Sequence, residues 1–385
     1  MIRFYKSMRE KGFALLIFLI IVALLGIGLL VFLKKDSFLL QQKVVWSQNL
    51  ETKDITRSAS LYARGDLIYV ISYYGPFLLE IDSSSGQIKR EFRVGEKIMS
   101  SDLSDNFFFY NDGNYKINNI HALDLSTGVE KWSKKIESPG EKYAYLKAVM
   151  GKVYLNEGLG KVVALNGENG EELWTFETNL PTNIPSGTIN EAPLIRTGNS
   201  IVVLGFYGGM VHALNPESGK EIWKFNSGSV VRPEEILVTD KNVYVASYRT
   251  TGDIVYALDT ETGEVKWQFS TEGNPNTSMT FDGETFYLAK AYGYLYAVNS
   301  RDGKELWRIK TDNFPTQLVI SDNRIYFGKI EYRDPFPARG HVYAVDRKSG
   351  KQIWHYETQD TISDVATTNG IGYFFVSNGE LIAIK

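Results

Sequence analysis

The hydrophobic pattern of the chain changes character once, near residue 42. Phe13 to Leu33, FALLIFLIIVALLGIGLLVFL, runs 21 residues without a charge. Beyond residue 42 the chain is broken into apolar runs of strand length, separated by Gly, Asn, Asp and Ser. As a helix at about 1.5 Å per residue, the long run reaches roughly 31 Å, the thickness of a bilayer's hydrocarbon core. It ends in Lys34, Lys35 and Asp36 with no Ala-x-Ala-like cleavage pattern, so it reads as an uncleaved transmembrane anchor rather than a signal peptide. Arg3, Lys6, Arg9 and Lys11 precede it against a single Glu10, which favours a cytoplasmic N-terminus. The expected organisation is a short cytoplasmic segment 1–12, an anchor 13–33 in the lipid bilayer, a linker 34–42 and a domain 43–385. That makes a single-pass cell-membrane protein with its folded part outside the cytoplasm, in a periplasm or at the cell surface.

After the anchor one pattern returns: an apolar strand ending in Asp or Asn, a glycine four residues on, and a tryptophan four residues later. The copies are HALDLSTGVEKW from His121, VALNGENGEELW from Val163, HALNPESGKEIW from His212, YALDTETGEVKW from Tyr256, YAVNSRDGKELW from Tyr296 and YAVDRKSGKQIW from Tyr343. A degenerate copy, LEIDSSSGQIKR, keeps Asp82 and Gly86 but has Arg90 in place of the tryptophan. Successive Asp/Asn positions are 42, 42, 49, 44, 40 and 47 residues apart, the period of a four-stranded propeller blade rather than of a helical solenoid. No helical stripe appears after residue 42. The chemistry of the motif is a turn followed by a docking strand: Asp or Asn bonds the backbone two residues on, and glycine takes positive φ.

Trp46, Trp132, Trp174, Trp223, Trp267, Trp307 and Trp354 are all the tryptophans of the chain, and each is expected to fill a seam between blades. Trp46 precedes the first copy, in VVWSQNL, while the chain stops at ELIAIK, where an eighth copy would begin its turn. The two ends complete one another. The C-terminal residues supply three strands of a last blade and Val44 to Ser47 its outermost one, which closes the ring and removes exposed edges. The expected fold is all-β, an eight-bladed propeller of about 43 residues per blade, preceded by one transmembrane helix.

Composition narrows the chemistry. A formal charge of -3 carries no basic footprint for nucleic acid, and the absence of cysteine excludes disulfides, thiolate metal sites, cysteine nucleophiles and a cysteine-attached lipid anchor. Gly-x-Ser-x-Gly, His-Glu-x-x-His, phosphate-cradling loops and EF-hand-like acidic loops are missing. His121 and His212 occupy a repeat position held elsewhere by Tyr256 or Tyr296 and read as polar strand residues; His341 and His355 read as single residues of the same kind.

The repeat Tyr-Ala-Leu-Asp-x-x-x-Gly-x-x-x-Trp, as in YALDTETGEVKW, resembles that of the pyrroloquinoline-quinone-type, or quinoprotein-like, propellers over nearly the whole chain after the anchor. That family holds calcium- and quinone-dependent dehydrogenases, the propeller lipoprotein of the outer-membrane barrel-assembly machine, and envelope proteins that bind no quinone. In the dehydrogenases the quinone lies between a tryptophan floor and a disulfide of neighbouring cysteines, beside a carboxylate base and a calcium. This chain has no cysteine and no tryptophan beyond the docking positions. The resemblance therefore implies the BamB-like, non-enzymatic branch: no catalytic residues, no cofactor and no metal, and a scaffold for another envelope protein or an assembly complex. A membrane-tethered quinone-dependent dehydrogenase using pyrroloquinoline quinone with calcium is the alternative, and a glycan- or ligand-binding propeller a third reading.

The turns before the third strand of each blade depart from the repeat, and they share a face with the connections between blades. They carry Tyr207, Tyr248, Arg249, Tyr292, Tyr332, Arg333, Phe336 and Arg339. Tyr, Phe and Arg are residue types that anchor interfaces, so these eight form the expected interaction face.

Overall fold

The structure is a computed structural model that describes residues 44–385 apart from 51–58, 74, 76, 96, 105, 113–116, 138–144, 159–160, 179–193, 198–200, 206–208, 229, 249–252, 312–313 and 332–338. The expected anchor and linker lie outside the described residues. Among the described residues no helix is long and apolar enough to cross a membrane.

The described strands form eight antiparallel sheets, one per blade. Seven blades are continuous in sequence, at 59–93, 100–137, 145–177, 194–226, 230–271, 274–310 and 314–358, and are numbered here one to seven. The eighth is built from both ends: Ile362–Thr368, Ile371–Val376 and Glu380–Ile384, with Val44–Asn49 as the outermost strand. Trp46 pairs with Ala383 and Ser47 with Ile382, so the ring is closed by a strand from the other end of the domain. First strands of successive blades touch one another, which puts them around the central channel. The second strands are buried along most of their length, as in Phe286, Tyr287, Leu288 and Ala289, because both of their faces are covered by neighbouring blades.

The motif does at atomic level what its residue types require. The side chain of Asp or Asn accepts the backbone N–H two residues on at Asp82, Asp124, Asn166, Asn215, Asp259 and Asn299, at 2.8–3.1 Å. The glycine N–H closes the turn on the same residue's carbonyl at 2.8–2.9 Å in all seven copies. Six indoles then donate across a seam to the carbonyl one residue past the next blade's Asp or Asn. Trp46 reaches Ser83, Trp132 Gly167, Trp174 Pro216, Trp223 Thr260, Trp267 Ser300 and Trp307 Arg347, all at 2.9–3.1 Å. The glycine is needed twice over. At Gly263 φ is +73°, and a Cβ would stand 2.6 Å from the Trp223 ring. Trp354 is buried in its seam, and its Nε1 has no partner among the described residues.

Candidate interaction surface

The propeller has two unlike faces. On the first, here the turn face, lie the first-to-second-strand turns and the Asp/Asn-x-x-x-Gly turns, joined by bonds such as Ser83 N–H to the Asp66 carbonyl at 2.9 Å. On the opposite loop face lie the second-to-third-strand turns and the connections between blades.

Two of the eight expected interface residues have described side chains, and both are on the loop face. Tyr292 stands in the turn between Thr285–Ala291 and Tyr294–Asn299, 48% exposed. Its φ is +53°, a left-handed conformation that costs a bulky L-residue energy and that Gly or Asn adopts more readily. The turn is held from below. Gly293 N–H bonds the Lys290 carbonyl at 3.3 Å, and Lys290, fully buried, is ion-paired with Asp253 of blade five. Beside it, the Arg308 guanidinium lies 4.7 Å over the Tyr294 ring and reaches Glu272 at 3.2 Å. Arg339 begins a strand of blade seven, half-exposed and ion-paired with Glu357. Tyr248 ends the strand Asn242–Tyr248, its backbone paired with Val230 and its side chain outside the described residues. Tyr207, Arg249, Tyr332, Arg333 and Phe336 also lie outside them.

The channel mouth on the turn face is a hollow of about 570 Å³, bordered by apolar side chains on or beside the first strands, Leu61, Leu103, Leu237, Met279, Leu318 and Val365 among them, together with polar ones such as Arg64 and Gln317. Among the described residues no tryptophan and no carboxylate lines it. Six of the seven tryptophans are engaged with neighbouring turns and Trp354 is packed in its seam. Two acidic residues of the nearby first strands are latched to backbone. Asp102 accepts the Ala148 N–H and Asp364 the Leu61 N–H, both at 2.8 Å, so each ties one blade to the next. Asp102 also pairs with Lys147 at 2.8 Å. Burial pushes the Asp364 carboxyl up to about 6, against the lowering effect of the Leu61 and Val365 N–H groups. Among the described residues no group of three or more His, Asp and Glu could hold a metal ion.

Two features were missed by sequence reasoning. The first concerns Arg90. In the regular blades the tryptophan faces an alanine across the outer strand pair, as Ala257 faces Trp267; in blade one Glu80 faces Arg90. Arg90 Nε donates to Glu80 at 2.9 Å, and Arg90 Nη1 to the Leu125 carbonyl, the acceptor an indole uses elsewhere. Tyr69 donates its hydroxyl to Glu80 at 3.1 Å. An ion pair thus replaces the indole, and a hollow of about 510 Å³ opens beside it, bordered by Arg64, Tyr69, Arg90, Asn106 and Lys131. The signal was available, since Glu80 stands where other copies have alanine. The second concerns His341 and His355, which are not single: His341 Nδ1 and His355 Nε2 are 2.9 Å apart on adjacent strands. His121 and His212 are polar strand residues as expected, hydrogen-bonded to Glu130 at 2.7 Å and Glu221 at 2.6 Å.

A family model described as outer membrane protein assembly factor BamB matches residues 39–212 and 208–385. Among solved structures the chain is similar to BamB from Moraxella catarrhalis, with TM-score 0.66 and 19% identity over 89% of this chain and 99% of that one. It is similar to the computationally designed Ika8 protein, with TM-score 0.67 and 15% identity over 87% and 99% of the two chains. A quinohemoprotein alcohol dehydrogenase from Pseudomonas putida gives TM-score 0.62 and 13% identity over 90% and 76%. Such identities establish the fold alone. Among curated proteins, a tetrathionate hydrolase from Acidithiobacillus ferrooxidans is 29% identical over 76 residues, which is 19% of this chain and 15% of that protein's length.

Proposed function

The chain belongs to the family of the outer membrane protein assembly factor BamB, and from that membership we propose that it is a protein-binding scaffold of the cell envelope, not an enzyme. The observation that carries this reading is Tyr292, an exposed aromatic held in left-handed backbone on a turn braced by a buried ion pair. Strain of that kind persists where the surroundings over-determine it, and a pre-positioned tyrosine offers flat apolar area with a hydroxyl at its tip at little entropic cost on binding. Residues 13–33 anchor the chain in the membrane and the propeller lies outside the cytoplasm, with the loop face open to a partner. Protease added to spheroplasts should then reach the propeller; cleavage only after lysis would sink the topology.

The family's quinone chemistry supplies the competing reading, which the dehydrogenase-like fold favours. The described channel mouth does not fit pyrroloquinoline quinone and calcium, since it offers neither an aromatic floor of tryptophan nor carboxylates for the ion. The test of both readings is affinity capture of the full chain from crosslinked membranes, alongside titration of the purified protein with pyrroloquinoline quinone and calcium. A specific protein partner without quinone binding supports the scaffold; tight quinone binding with turnover of an electron acceptor would replace it with the dehydrogenase.

A further inference from the structure

His341 and His355 belong to the last two strands of blade seven, Arg339–Asp346 and Gln352–Thr358, near their loop-face end. The facing nitrogens are 2.9 Å apart, the ring centroids 5.1 Å apart and the ring planes 22° from parallel. Those values describe two nearly coplanar imidazoles joined end to end by one N–H···N bond. Two stacked plates would bring the centroids closer. Tyr343 lies 4.6 Å from His355, centroid to centroid, and Phe327 5.2 Å from Tyr343, so an aromatic row fixes the second ring in place. His341 is buried and His355 partly so.

Proton counting sets the behaviour of this joint. Two imidazoles have four nitrogens. With two or three protons the facing nitrogens share one hydrogen and the bond survives; with four, an N–H points at an N–H and the bond cannot form. We propose that the His341–His355 pair is a proton-operated joint, closed at neutral pH and opened by its second protonation, which frees the loop-face end of blade seven. Two charged groups outside the pair, among the described residues, act on it together with the partner ring. Lys329 on the second strand and His341 disfavour a proton on His355, and Glu357 on the last strand favours one. Glu357 is shared with Arg339. Blade six packs against this part of blade seven with Trp307, Ile309 and Leu295. Burial is the largest influence and holds the His355 imidazole below its ordinary range. A depressed folded-state value means stability that is present above the unfolded value and lost as pH falls through the folded one. The joint stands next to Arg339 on the expected interaction face, but its operation needs only the two rings and does not depend on the scaffold reading.

Two measurements on the folded full chain decide it. Histidine-labelled NMR in detergent should show two rings titrating in coupled steps, the second displaced well below the first, with His341→Gln collapsing the pattern to a single step at His355. Two independent titrations, both near the ordinary histidine value, would overturn the proposal. Limited proteolysis at pH 7.5 and pH 5 should show cleavage around Lys329 and Arg339 rising several-fold at the lower pH, relative to cleavage around Lys241 on the turn face of blade five. His355→Gln, which hydrogen-bonds without titrating, should abolish that rise. If the rise is absent in the parent chain, or persists unchanged in both variants, the joint does not operate.

Discussion

The turn face and the loop face are built from the same eight blades and have had opposite demands placed on them. On the turn face, Asp or Asn, glycine and tryptophan recur because each has a fixed job: accept the turn's N–H groups, take positive φ under an indole, and bridge to the next blade, a bridge that Arg90 makes in blade one. On the loop face the corresponding turns differ in length and type, and one exposes a tyrosine in a conformation glycine would hold at no cost. Repetition marks what holds the ring together; departure from it marks positions that the ring does not require.

The largest expected effects fall on the turn face. Trp267→Ala removes a buried indole and its bond to Ser300, and should cost about 3–5 kcal/mol in denaturant unfolding. Arg90→Ala should cost about as much by a different route, because it leaves the buried Glu80 carboxylate uncompensated. The double change Glu80→Ala with Arg90→Trp restores the regular pair and should recover most of that loss. A loss equal to that of the single variant would show that the first seam follows other rules.

Next comes the channel latch. The Asp364 carboxyl is raised to about 6 from 3.8. Its contribution to stability is therefore fully present below about 3.8 and lost as pH rises through about 6, amounting to roughly 3 kcal/mol. Asp364→Asn keeps an acceptor for the Leu61 N–H and should remove that slope. Comparing variant and parent at pH 4 and pH 7 isolates this group from the histidine pair, whose effect runs the opposite way.

The smallest stability effect belongs to the loop face. Tyr292→Asn should change unfolding free energy by less than about 1 kcal/mol, since asparagine tolerates left-handed backbone. It should cost about 2 kcal/mol or more of partner binding. A stability loss on the scale of Trp267→Ala would make Tyr292 a packing residue and erase the contrast between the faces.

The sequence made the ring legible because its motif ties residue type to geometry in every copy. Even the closure could be read, from a lone Trp46 ahead of the first copy and a C-terminus lacking its turn. Arg90 was visible as a gap, but its meaning needed Glu80, ten residues away and directly opposite across the outer strand pair. The histidine joint left no such trace: residues 341 and 355 become neighbours only through the diagonal offset of two strands that a bulge displaces. The expected interaction face is a set of turns on the loop face, and the structure describes the side chains of Tyr292 and Arg339 within it.

Whether partners dock on the loop face is decided by placing a photo-reactive amino acid at Tyr292 and, in a second protein, at Val129, which is 63% exposed beside the turn-face motif of blade two. Irradiated in intact membranes, the full chain should form a discrete adduct with another envelope protein from position 292 and none from position 129. An adduct from position 129 with none from position 292 would put the docking surface on the turn face and overturn the assignment made here for the two faces.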